Sequence, residues 1–137
     1  MQLRRVKKRQ YDVSSVWQDD NVEIMLNPSG DRDVFYHFFV NSAGSMSDMK
    51  QVAHARGKEA GDFGWNSNAD VMVTHGDGFW TAELSIPLAN LPGLDSQSFP
   101  AEVVRCRRLN DGLEEFYHWS PYTRTPLDVT NFGMLVR

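Results

Sequence analysis

A single cysteine, Cys106, leaves an internal disulfide without a second thiol and says nothing about the redox compartment. No apolar run approaches the roughly 18 residues that a membrane-spanning helix needs. The basic opening, MQLRRVKKRQYDV, has no apolar stretch behind it, so it does not read as a secretory signal. The four histidines, His37, His54, His75 and His118, show no HxH, HExxH or cysteine-paired spacing, which gives zinc little support. No glycine-rich loop opens a helix to cradle phosphate. No GxSxG or activated-cysteine signature marks a nucleophile, and Cys106 sits between Arg105 and Arg107 in a strand-like run.

An excess of positive charge is missing as well. The formal net charge is −4, which argues against nucleic acid held through its phosphates. The local exception is Arg4, Arg5, Lys7, Lys8 and Arg9, a run whose ordinary reading is a solvated strand or terminus. What the chain does have is 41% hydrophobic content over 137 residues, enough for one domain with one core across 1–137. Aromatics make up 12% and include four tryptophans. Such rings usually fill cores, but a flat ring face also matches the C–H face of a sugar.

Period two dominates the patterning. In NVEIMLN, Val22, Ile24 and Leu26 share one face, which turns Glu23 and Met25 to the other, expected to be the polar one. NPSGDRD supplies a turn through Pro28 and Gly30. VFYHFFVN is apolar on both faces, as a central strand would be, and pairs antiparallel with the strand before it. Residues 43–68 lack a clear period; a short helix is expected within DMKQVAHARGKEA. ADVMVTH and FWTAELSIP form a hairpin around Asp77-Gly78, with Trp80, Ala82, Leu84 and Ile86 on one face and Glu83 on the other. PLANLPG reads as one helical turn, and AEVVRCRRL, FYHWSP and NFGMLVR supply the remaining strands. Six or seven strands with very little helix predict an all-β antiparallel β-sandwich, immunoglobulin-like or jelly-roll-like, rather than a βαβ fold.

Three constellations carry chemistry. Asp19, Asp20, Asp31 and Asp33 flank one hairpin and offer the hard oxygens that suit calcium, without matching an EF-hand loop. Acidic turns are more often simply solvated. Glu23 and Glu83 each fall on the polar face of a strand, and a glycoside hydrolase needs two carboxylates roughly 5 to 10 Å apart. Polar-face glutamates are, however, the default on a half-buried sheet. Trp17 and Trp119 offer rings that can hold a sugar while carboxylate and guanidinium groups bond its hydroxyls; the bland alternative makes each a core or rim residue.

WQDDNVEIML, the YHFFVN strand, DGFWTAELSIPLANL, HWSP and NFGML, in this order over residues 16–136, resemble the family 9 carbohydrate-binding modules and their relatives. The resemblance implies a β-sandwich that binds the end of a glucan- or xylan-type sugar without catalysis, with structural calcium. By position, Trp17 is similar to the family's first stacking tryptophan, Glu23 to its hydroxyl-binding acid, Trp119 to the second tryptophan and Arg105 to the strand arginine. Asp20 is the acid implied near the site or a metal, and Glu83 matches a structural glutamate. Glu102 departs from the pattern, standing where asparagine is usual.

A second departure lies at the front, where such modules usually carry two or three more strands. Only residues 1–16 precede Trp17, so the resemblance implies a fragment or an N-terminally truncated sandwich. A shortened sandwich exposes sheet edge and core, which predicts a homodimer covering that edge. Modules of this kind usually work outside the cell or in the periplasm. The alternatives are an interaction sandwich that has lost its sugar site and a glycosidase using Glu23 and Glu83.

Overall fold

The computed structural model describes residues 15–55, 60–94 and 97–137, so the basic cluster between Arg4 and Arg9 lies outside the described residues. The chain builds an antiparallel β-sandwich. Its larger sheet contains β1 (Asn21–Leu26), β2 (Val34–Asn41), β3 (Met46–Val52), β4 (Gly61–Asp62), β7 (Ser98–Arg108), β8 (Glu114–His118) and β9 (Gly133–Val136). The strand order is β4-β3-β2-β1-β7-β8, with β9 also on β7. The second layer is the hairpin of β5 (Asp70–His75) and β6 (Trp80–Ser85).

Register divides the large sheet into two faces. On the first, Ile24 and Leu26 stand beside Tyr36, Phe38 and Val40, and the hairpin lays Val71, Val73, Ala82, Leu84 and Ile86 onto them. Gly78 makes the tight turn at Asp77-Gly78 possible, because its φ of +77° lies in the left-handed region that glycine enters freely. Leu88–Asn90 is the single 3-10 turn expected after Pro87.

The second face differs from the sequence expectation. The side of β1 that carries Glu23 is not a solvated polar face. Met25, Phe35, Val104 and Cys106 form a small core there with Val129 and Phe132 of the C-terminal loop. Strand β2 is therefore buried on both sides, in keeping with its doubly apolar pattern.

The helix expected within residues 48–60 does not form over 48–55, the described part before residue 60; β3 occupies Met46–Val52 and β4 follows at Gly61–Asp62. Buried polar side chains hide the strand period in this segment. Asp48 is fully buried and accepts hydrogen bonds from the Ser67 backbone N–H (2.9 Å) and the Ser67 hydroxyl, so a charged residue occupies an apolar-looking position.

Strand β7 is long enough to pair with β9 through Ser98–Ala101 and with β8 through Val104–Arg108. Glu102 holds the step between them. Its buried carboxylate accepts from the backbone N–H of Trp119 and of Ser120, each at 3.1 Å, and from the Ser120 hydroxyl.

Candidate functional site

The acid-rich stretch WQDDN folds back on itself before β1. Val16–Gln18 is a 3-10 turn whose Val16 is buried against Phe39 and Met49. Asn21 donates to the carbonyls of Trp17 and Asp19, both at 2.9 Å, and Asp19 accepts from Asn41 at 3.0 Å. With Val16 turned in and the following acids used internally, Trp17 is turned out and is 45% exposed.

Trp17 lines a cavity of about 310 Å³ together with Glu23, His37, Phe39, Phe63 and Gln51. Phe63 arrives from the turn after β4, where Asp62 accepts the Gly64 N–H at 2.8 Å. The far wall is Thr125, Pro126 and Leu127. Val129 and Phe132, inserted in the second-face core, anchor that loop.

The floor is a polar chain across three strands. Glu23 Oε2 lies 2.9 Å from His37 Nε2, and His37 Nδ1 lies 2.6 Å from Gln51 Oε1. Each ring nitrogen of His37 thus has a hydrogen-bond partner, with the donor set by the tautomer and by the orientation of the Gln51 amide. His37 also stacks on Phe39, with centroids 3.9 Å apart. The Cys106 thiol donates to Glu23 Oε1 at 3.3 Å. Burial alone would raise the Glu23 carboxyl, but the hydrogen bond and charge of His37, with the Cys106 bond, outweigh it and hold Glu23 below its ordinary value. Burial and the neighbouring Glu23 charge push the Cys106 thiol up, which keeps it protonated and unreactive.

The structure thus brings Trp17 and Glu23 to one cavity, but Trp119 and Arg105 go elsewhere. Trp119 lies over Gly133 on the opposite face of the sheet, lining a surface with Ile24, Leu26, Val103 and Leu135. The expected Trp17–Trp119 clamp does not form, because one-residue alternation along β1 sends Glu23 and Ile24 to opposite faces. Arg105 also leaves β7 on the far face. Its Nη2 reaches both Asp20 oxygens at 2.7 and 2.8 Å, and its guanidinium lies 5.2 Å from the Trp80 ring centre.

Asp20 does not fit the calcium role. It is buried, both oxygens are held by Arg105, and Oδ1 also accepts the Arg108 N–H at 3.2 Å. Asp31 accepts the Asp33 and Val34 N–H groups, which shapes the β1–β2 turn. Among the described residues no three His, Cys, Asp or Glu side chains converge on a common point. Glu23 and Glu83 do not form a carboxylate pair either: Glu83 is exposed on the outer side of β6, and Glu23 faces away from that hairpin.

Sequence reasoning missed His37, Gln51, Phe63 and the Thr125–Leu127 wall. A histidine set inside an apolar central strand was the available signal for His37. Gln51 was hidden in the segment expected to be helical, and the loop residues carry no periodic signal.

No protein-family model matches the chain, and no curated protein matches it. Among solved structures it is similar to a protein from Bacteroides uniformis described as a "putative carbohydrate-binding protein", with a TM-score of 0.66 and 24% identity. The match covers 91% of this chain and 64% of that one, so the chain spans somewhat under two thirds of its neighbour's length.

Proposed function

We propose that the protein binds carbohydrate without catalysis, in the cavity between Trp17, Phe63 and the Thr125–Leu127 wall. The observation that carries this reading is the pairing of half-exposed rings with a polar floor: Trp17 and Phe63 offer faces to a sugar ring, while Glu23 and Gln51 present hydroxyl partners beneath. An ionised carboxylate has about four lone-pair sites, so Glu23 retains acceptors beyond those that His37 and Cys106 use. The family resemblance and the description of the solved neighbour point the same way. Among the described residues Glu23 is the one carboxylate lining this cavity, and glycoside hydrolysis of the usual kind needs two.

Calorimetric titration with glucose, cellobiose and xylooligosaccharides tests the reading. Heat is expected from the wild type, and Trp17→Ala weakens binding by about tenfold or more, the scale of one stacked aromatic face. A folded sample that gives no heat with any of them, or an unchanged affinity in the variant, overturns it.

A second reading, a sandwich that pairs with another copy, is favoured by the apolar surface around Trp119. Trp119 is 50% exposed there, and Val103 and Leu135 are also exposed. Light scattering would then show a dimer that Leu135→Lys converts to monomer; a wild-type monomer at high concentration sinks this reading.

A further inference from the structure

The aromatic cavity does not end at its far wall. Thr125 and Leu127 also line a second cavity of about 400 Å³, completed by Ala53, His54, Arg124 and Asp128. The two spaces are neighbours across one loop segment, and their chemistry differs. Among the described residues no lysine or arginine lines the first, where Glu23 is the anion. The second carries Arg124 and the exposed His54, both within electrostatic reach of Asp128 in the same lining.

Among the described residues Asp128 is the one acid lining the second cavity, and it is partly committed: its Oδ1 accepts the Thr130 hydroxyl at 2.6 Å and the Thr130 N–H at 3.1 Å. A further cation stands close by, since Arg32 Nη1 donates to the Val129 carbonyl at 2.6 Å, and Val129 lines the same cavity. The lining carries one arginine and one aspartate, with Arg32 alongside, and a guanidinium fork matches a carboxylate better than it matches a hydroxyl.

We infer that the ligand is an acidic oligosaccharide, with one ring in the aromatic cavity and an adjoining uronate unit across Thr125 and Leu127 on Arg124 and His54. This assignment rests on the sugar-binding reading of the aromatic cavity. It adds the length of the ligand, at least two units, and the sign of its charge.

Calorimetry on the full chain compares cellobiose with cellobiouronic acid, and xylotriose with glucuronic acid-substituted xylotriose, at low and high salt. The acidic member of each pair is expected to bind about tenfold more tightly at low salt, the scale of one added charge-assisted contact. Arg124→Ala removes that advantage and leaves the neutral affinity where it was, and high salt reduces it. Equal affinity for neutral and acidic members, or an acidic preference that survives Arg124→Ala, overturns the inference while leaving the aromatic site standing. Absence of heat with every sugar removes the aromatic site and the inference together.

Discussion

Glu23 shows how one residue can serve both folding and recognition. Its carboxyl is held below the ordinary 4.5 although burial pushes the other way. A group depressed in the folded state adds stability that is present in full above the unfolded value and drains away as pH falls through the folded one. Urea midpoints taken between pH 7 and pH 3 should therefore fall on the acid side, and Glu23→Gln should flatten that limb. An unchanged acid limb in the variant would show that other groups carry it.

Asp20 and Arg105 make the opposite point at the same scale. Both were candidate ligand-binding residues, and they bind each other, with Asp20 fully buried and a quarter of the Arg105 side chain exposed. Asp20→Ala is expected to cost about 3 kcal/mol in urea unfolding, the low end for breaking a buried pair, since Arg105 keeps partial access to water. The melting temperature of the wild type should not respond to EDTA. A large downward shift would return calcium to the acids of this hairpin.

Among the elements, β7 organises the sheet, and Glu102 decides how its outer edge is shared. The acid that stands in place of asparagine serves the fold directly, through three backbone N–H groups and one hydroxyl. Glu102→Ala strands the buried Ser120 N–H, while Trp119 N–H keeps the Val103 carbonyl and the Ser120 hydroxyl keeps the Asn131 carbonyl, with a loss of about 1 to 3 kcal/mol. Amide exchange should quicken in Gly133–Val136, the strand that Glu102 reaches through the Ser120 hydroxyl and its bond to the Asn131 carbonyl. Normal protection in β9 would assign the step to the β7–β9 ladder alone.

Strands β1, β2, β5 and β6 were legible because their apolar residues alternate or run continuously, and β7 because its apolar residues cluster. Strand β3 was not, because Ser47 and Asp48 are buried polar residues, and Asp48 finds its partner far along the chain. Asp48 needs Ser67, nineteen positions away, before its burial makes sense. The helix expected there followed local propensity, which pairing with β2 overrides.

On the scale of the whole molecule, the large sheet has two apolar faces of unequal cover. The hairpin closes one over β2 and β1, leaving Trp119, Val103 and Leu135 exposed beside it. The C-terminal loop closes part of the other and stops short of Trp17, which leaves the aromatic cavity open beside the second, arginine-bearing one. Both proposed binding events use what this partial closure leaves uncovered.

Local pattern alone determined the antiparallel β-sandwich, most strand positions and the Asp77-Gly78 turn, because alternation and turn residues act over a few residues. Only the tertiary structure decided which candidates meet. Side chains one position apart on a strand leave by opposite faces, so the register placed Trp17 and Glu23 with His37 and Gln51, and sent Arg105 and Trp119 to the other side.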